Sequence, residues 1–195
     1  SAQLGADAAT LAGRKPSGVA ITCLDPTVFR HADVVIDFSL PQGVAQSLPF
    51  LGDAAFVTGT TGLEPFVQAL VEARAVTAPV LQAANFSTGV NVLLNLAERA
   101  ACALPDADIE IVETHHRHKR DAPSGTALAL GRRVAAARGV DHDSMTDHGR
   151  SAGDASRKPG RLTYHSLRGG DVSGDHTVWL LADGERLALG HVATS

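Results

Sequence analysis

Residues able to do chemistry crowd into one segment, Glu113-Thr-His-His-Arg-His-Lys-Arg-Asp-Ala-Pro-Ser-Gly-Thr-Ala127. His115, His116 and His118 can exchange protons near neutral pH, and Arg117, Lys119 and Arg120 add positive charge beside them. The run Ile109-Glu-Ile-Val112 ahead of the segment has the apolar character of a strand, and a helical pattern begins after the Pro-Ser-Gly turn. Ser124, Gly125 and Thr126 therefore fall at a helix start. Backbone N–H groups without intrahelical partners and the positive end of the helix dipole attract anions there. Cations at a strand mouth beside a helix start describe a site for a carboxylate or phosphate, with histidines placed to move a proton.

Spacing refines this. Lys119 follows His115 by four residues, and positions i and i+4 share a side both on a helix and along an extended strand. His115 and Lys119 can then face one ligand. His116, Lys119 and the N–H groups around Ser124, Gly125 and Thr126 can together hold a dianion. Two other readings of the same residues stay open. His115 with His118, or His116 with a distant acid, have usable metal-ligand spacing. Against that stand the lack of a His-Glu-x-x-His motif or paired cysteines and the repulsion from neighbouring cations. The segment also reads as a solvated basic turn without chemistry. Ser124 lies in Pro-Ser-Gly-Thr, which is not a nucleophile elbow.

The elements that position this segment follow from periodicity. A short helix is expected around Ala6–Ala12, within a small, polar opening (residues 1–18) that carries no chemistry. Ala32–Ser39 reads as a strand buried on both faces, and Pro41 opens a short helix. Ala54–Thr58 is a second strand. Pro65–Val76 is a helix with Phe66, Leu70 and Ala73 on one side, and Ala78–Leu81 begins a third strand. This alternation predicts a parallel sheet with helical crossovers, whose ligand lies beyond the carboxyl ends of the strands. The loops there are Ser39-Leu-Pro41, Gly59-Thr-Thr-Gly62 and Ala84-Asn-Phe-Ser87. Gly89–Leu104 is a core-packing helix, with Val90, Leu93, Leu94, Ala97 and Ala101 at helical spacing. Alternation along Ile109–Thr114 puts Glu113 and His115 on one face and His116 on the other. Thr126–Arg138 is a helix stopped by Gly139. Residues 139–160 read as a mobile surface loop in which His142 and His148 are exposed. Leu162–Leu167, His176–Leu181 and Arg186–Val192 read as strands of a mostly antiparallel meander, with an Asp183-Gly184 hairpin turn.

Composition sets outer bounds. The 195 residues are 44% apolar and 19% charged, ordinary for a globular protein holding one good core or two modest domains. The net charge of −4 gives no general attraction to nucleic acid. Cys23 and Cys102 are far apart and read as small buried apolar residues in a reducing compartment. No apolar run is long enough to span a bilayer, and the expected location is the cytoplasm.

Taken together, these residues resemble one family, the 4-hydroxy-tetrahydrodipicolinate (dihydrodipicolinate) reductases of lysine and diaminopimelate biosynthesis. The hallmark is similar to Glu113-x-His-His-Arg-x-Lys119-x-Asp-Ala-Pro-Ser-Gly-Thr-Ala127. Further matches follow in order: Ile36-Asp-Phe-Ser39 with Pro41, Gly59-Thr-Thr-Gly62, Ala84-Asn-Phe-Ser87 with Gly89-Val-Asn91, Arg168-x-Gly170, Gly174-x-His176, Gly184-Glu185 and His191. The resemblance runs from about Val34 onward. It implies that His115 is the catalytic histidine, Lys119 the catalytic lysine, and His116, Lys119, Ser124, Gly125 and Thr126 the substrate-carboxylate contacts. It further implies that Gly59, Thr61, Ala84, Asn85 and Phe86 line the nicotinamide side of the cofactor site. The implied reaction is hydride transfer from NADH or NADPH to a cyclic, conjugated imine dicarboxylate, giving tetrahydrodipicolinate, in a homotetramer. The family pattern opens with a Gly-rich strand–loop–helix unit and continues past the last strand seen here. The sequence as given shows neither, as expected either of a fragment of a longer protein or of a truncated relative.

The expected fold is α/β: a partial Rossmann-like parallel sheet in residues 1–86, the remaining dinucleotide-binding domain, then an α+β substrate-binding and oligomerisation domain in residues 87–195. The readings held beside the reductase are a non-catalytic dicarboxylate-binding or assembly module and a metal-dependent hydrolase.

Overall fold

A computed structural model describes residues 3–153 and 155–194. It divides into two compact units, Ser1–Ala84 and Asn85–Ser195.

In the first unit, Asp7 caps α1 (Ala8–Leu11) by accepting the Thr10 N–H at 2.9 Å, and its other oxygen takes the N–H groups of Ser17 and Gly18. Then β1 (Val34–Asp37), α2 (Pro41–Ser47), β2 (Ala55–Thr58), α3 (Pro65–Arg74) and β3 (Val80–Gln82) alternate, giving a parallel sheet in the order β1-β2-β3. Proline opens both longer helices, where its missing N–H costs nothing. The core is Val44, Leu51, Phe56, Val67 and Val71. Two expectations are corrected here. The buried stripe of α3 is Val67 and Val71, one helical step from the expected Phe66 and Leu70, and Phe66 is 74% exposed. On β1, Val35 packs on the core, whereas Val34 and Ile36, out of phase by one residue, stay exposed, so this sheet-edge strand is covered on one face only. At the carboxyl ends, the Asp37 carboxylate accepts the Ser39 N–H at 2.9 Å and the Thr60 hydroxyl at 2.8 Å, which ties the first loop to the second.

The second unit holds α4 (Thr88–Ala103), β4 (Asp108–His115), α5 (Gly125–Ala137), α6 (His142–Met145), β5 (Thr146–His148), β6 (Leu162–Arg168), β7 (Gly174–Ala182) and β8 (Glu185–Ala193). The sheet order is β5-β6-β4-β7-β8. It is mixed rather than mostly antiparallel as expected: β6 runs parallel to β4 and β5, and β7 runs antiparallel to β4 and β8, with β4 between β6 and β7. Gly184, at φ +81°, makes the β7–β8 turn that a side chain would strain. Ser87 caps α4, which buries Val90, Leu93, Ala97 and Ala101, the expected spacing. Leu93, Ala97 and Ala101 meet Ile109 and Ile111 of β4 and Leu130 and Val134 of α5 in one core.

Part of the stretch expected as a surface loop, residues 139–160, is regular structure. Asp141 caps α6, and β5 pairs with β6, Thr146 opposite Leu162 and His148 opposite Tyr164. His142 is not simply exposed: its ring nitrogens lie 2.7 Å from both Asp143 and the Tyr164 hydroxyl. Tyr164 in turn fills the space beside Gly131, where any Cβ would come within 1.7 Å of the hydroxyl oxygen. Both cysteines are exposed rather than buried. Cys102 sits one residue, about 100° around α4, past buried Ala101. Among the described residues no helix is long and apolar enough to cross a membrane.

Candidate active site

The sheet register assembles the site. Residues paired across neighbouring strands point to the same face. Ile109 with Leu162 and Leu180, and Ile111 with Tyr164 and Val178, form two apolar rows under α4 and α5. The next row on that face is Glu113 with Ser166, His176 and, through β8, His191; the row after it contains His115 and Arg168. The core face of the sheet thus turns polar at the carboxyl end of β4. The N-terminus of α5 arrives at the same end, because Ser124 donates its N–H to Glu113 at 3.3 Å.

Glu113 is fully buried and collects donors. The guanidinium of Arg168 binds it in a fork, both bonds at 2.8 Å, and His115 Nδ1 lies 2.5 Å from its second oxygen. Burial alone raises a carboxyl pKa, but here the bonds from Arg168, Ser166 and His115 win and hold Glu113 at about 2. His115 is 8% exposed, and a Cβ on Gly174 would stand 3.0 Å from its Nε2. His176 meets His115 edge-on, 5.1 Å between ring centres, and its Nε2 lies 2.9 Å from the Ser124 hydroxyl. That hydroxyl also accepts the Ala127 N–H at 3.2 Å, which caps α5. A cavity of about 440 Å³ opens between these groups, lined by Asn85, His115, Thr126, Gly174, His176 and His191 among others.

The expected site residues fall into several places. His115, Thr126 and Asn85 share the cavity, and the Asn85 amide donates to the Thr126 hydroxyl at 3.1 Å. Ser124 is buried and spends its hydroxyl on the cap and on His176, while Gly125 is exposed at the first turn of α5. His116 and Lys119 lie on a turn closed by the Lys119 N–H on the His116 carbonyl at 3.1 Å. After His115, the last residue of β4, the chain through Lys119 is neither helix nor strand, and the i,i+4 argument for a shared side does not apply. The Lys119 ammonium is held by Asp121 at 2.8 Å. Gly59 and Thr61 follow β2 in the first unit, and Ala84 closes that unit after β3. Phe86 is exposed in the second. Among the described residues no group of three or more His, Cys, Asp or Glu side chains is placed to hold a metal ion. Glu113, Arg168, His176 and His191 had been quoted as motif positions without a role. Only the Glu113–His115 alternation hinted at their meeting, because the register with β6, β7 and β8 is not legible in one strand.

Burial, and then the nearby His115, push the His176 pKa down to about 4. The unfolded chain, with this histidine near 6.5, binds the extra proton first as pH falls. His176 therefore leaves stability unchanged above about pH 6.5 and removes roughly 3 kcal/mol between there and about pH 4. Glu113 adds a second loss from about 4.5 down to about 2, since its folded pKa is depressed. Trp179, the single tryptophan, lies on β7 and reports this unit by fluorescence. Urea unfolding followed at Trp179 is expected to show a midpoint that falls between pH 6.5 and 4. In His176→Gln that upper part of the fall should flatten, and an unflattened curve would assign the acid loss to other groups.

Comparison with known proteins places this geometry. Residues 1–86 match the family description "Dihydrodipicolinate reductase, N-terminus" and residues 89–195 match "Dihydrodipicolinate reductase, C-terminus". The 4-hydroxy-tetrahydrodipicolinate reductase of Parvibaculum lavamentivorans is 45% identical over 197 residues, covering 99% of this chain and 73% of its own length. That of Pseudomonas fluorescens strain SBW25 is 44% identical, covering 100% and 74%. The likeness thus includes the residues before Val34, where the motif comparison began. A solved structure, the dipicolinate-bound dihydrodipicolinate reductase from Paenisporosarcina sp. TG-14, shares the fold with a TM-score of 0.68 at 22% identity, over 97% of this chain and 74% of that one.

Proposed function

We propose that this chain, which belongs to the 4-hydroxy-tetrahydrodipicolinate reductase family, reduces 4-hydroxy-tetrahydrodipicolinate to tetrahydrodipicolinate with NADH or NADPH, in lysine and diaminopimelate biosynthesis. The observation that carries the reading is the cavity in which buried His115 and Thr126, at the start of α5, face the same space. A histidine beside a helix N-terminus suits a dianion that must gain a proton.

In this reading the substrate carboxylates are held by the N–H groups of Gly125 and Thr126 at the first turn of α5, with His116 and Lys119 approaching from the 116–119 turn. Ser124 contributes by capping the first turn of α5 with its hydroxyl rather than by bonding the substrate with it. His115 gives a proton from Nε2 to the substrate once hydride has arrived. NADH or NADPH supplies the hydride. The residues at the carboxyl ends of β2 and β3 suit a nucleotide: Gly62 takes φ +72°, and Thr61 and Ala84 are small and exposed, while the Phe38 ring fills the space beside Gly59. We assign the cofactor contacts to Gly59, Thr61, Ala84, Asn85 and Phe86, residues 1–86 to the dinucleotide-binding domain and residues 87–195 to substrate binding and oligomerisation. A homotetramer in the cytoplasm completes the proposal. The sheet face opposite α4 and α5 carries Val112, Trp179 and Leu181 around a cavity and suits subunit contact.

The test is oxidation of NADPH and NADH by the purified chain with freshly generated substrate, after circular dichroism shows it folded. Substrate-dependent oxidation is expected. A folded chain that binds pyridine-2,6-dicarboxylate but oxidises neither nucleotide would leave only the dicarboxylate-binding module.

A further inference from the structure

The role of the buried Glu113–Arg168 pair goes beyond the reaction itself. A carboxylate oxygen only accepts hydrogen bonds, so the hydrogen in its 2.5 Å contact with His115 sits on Nδ1. The other ring nitrogen, Nε2, faces Gly174 and the cavity. Arg168 occupies both oxygens of Glu113 at 2.8 Å, which keeps the carboxylate from rotating. The same pair reaches two more parts of the site. Glu113 accepts the Ser124 N–H at 3.3 Å, where α5 begins, and Arg168 donates to the Asp121 carbonyl at 2.8 Å, beside the Lys119 turn.

We propose that Glu113, locked by Arg168, is a positioning residue that fixes the Nδ1–H form of His115 and sets the separation between His115 Nε2 and the N-terminus of α5. It rests on His115 being the proton donor. The imidazolium loses its Nε2 proton to the substrate, the N–H electron pair stays on Nε2, and the Nδ1–H bond to Glu113 persists. The ring thus returns to one neutral tautomer, with Nε2 ready to be reprotonated from solvent. Without the carboxylate, the neutral ring would divide between two tautomers, one of which presents the wrong nitrogen.

Glu113→Gln tests this. The amide is isosteric, but its NH2 must replace one oxygen of the Arg168 fork. The Ser124 N–H beside Oε1 can only donate, whereas His115 Nδ1 beside Oε2 can become an acceptor, so the NH2 turns toward His115 and favours the Nε2–H tautomer. In 15N spectra of histidine-labelled protein, His115 is assigned by its absence from His115→Ala. The neutral wild-type ring is expected to show a pyrrole-type Nδ1 and a pyridine-type Nε2, and Glu113→Gln is expected to reverse or mix these. kcat should fall by about 10²-fold or more, with pyridine-2,6-dicarboxylate affinity nearly unchanged. Glu113→Asp, which keeps a carboxylate, should recover part of kcat and the wild-type tautomer. Arg168→Lys keeps the charge without the fork and covers the case in which Glu113→Gln does not fold; it should lower kcat with the tautomer mixed. An unchanged tautomer in a folded variant, or equal losses in kcat and dicarboxylate affinity, would overturn the proposal. A reversed tautomer with full activity in His115→Ala would instead sink the proton-donor reading and leave the positioning intact.

Discussion

Replacing His115 by alanine is expected to lower kcat by about 10²- to 10⁴-fold, the usual contribution of a general acid. Affinity for pyridine-2,6-dicarboxylate should change by no more than about threefold, because the proposed carboxylate contacts lie on α5 and on the 116–119 turn. The geometry makes this separation possible. His115 sits at the last position of β4, with one nitrogen on Glu113 and the other toward the cavity. Removing its ring leaves Glu113 with the Arg168 fork and the Ser124 N–H, so the carboxylate stays paired and α5 keeps its cap. The backbone N–H groups at the start of α5 are untouched. Steady-state kinetics beside calorimetric titration of the dicarboxylate measure the two quantities on one preparation. Parallel losses in turnover and affinity would show that His115 holds the ligand rather than protonating it.

The placement of Glu113 and His115 on one face is legible locally, whereas the catalytic role of His115 comes from the family resemblance. The alternation Ile109, Ile111, Glu113, His115 has a period of two, so a strand must put the two polar residues on the core's own face, and burial then forces them to pair. The Pro41 and Pro65 helix starts, the Asp183-Gly184 turn and the parallel order of β1, β2 and β3 are legible for the same reason, since each depends on a few neighbouring residues. What was not legible depends on partners distant in sequence. Arg168 meets Glu113 across 55 residues, and only the parallel pairing of β6 with β4 brings them level. His142 looked like a solvent histidine until Tyr164 was placed opposite it. The rim of β1 and the stripe of α3 were misjudged because apolar character alone does not say which face a neighbour will cover. The His115–Lys119 spacing fits both regular periodicities, yet the chain takes a turn that neither describes.

Lys119→Ala is expected to weaken pyridine-2,6-dicarboxylate binding by about 10- to 150-fold, equivalent to the roughly 1.5–3 kcal/mol of a hydrogen bond to a charged group. It should also reduce kcat, unlike a residue that only binds. Lys119 is anchored by its turn and keeps only 20% of its side chain exposed, whereas its partner Asp121 is 61% exposed. The Lys119 bond pulls the Asp121 carboxyl below its usual range, so Asp121 is charged at neutral pH and competes with any anionic ligand for the ammonium. An incoming dicarboxylate offers two charges against one and gains the helix N-terminus as well, so the ammonium transfers to it. In the alanine variant the ammonium is gone while Asp121 remains, and its unpaired carboxylate repels the same ligand. Two comparisons separate these effects. Asp121→Asn should bind the dicarboxylate a few-fold more tightly than wild type. The double variant Lys119→Ala/Asp121→Asn should recover part of what Lys119→Ala lost. Titrations at low and high salt should also show a shallower salt dependence without Lys119, because one cation no longer contributes. If Lys119→Ala leaves both affinity and its salt dependence unchanged, the ammonium serves only the turn and its Asp121 partner, and the carboxylates must be held by α5 and His116 alone.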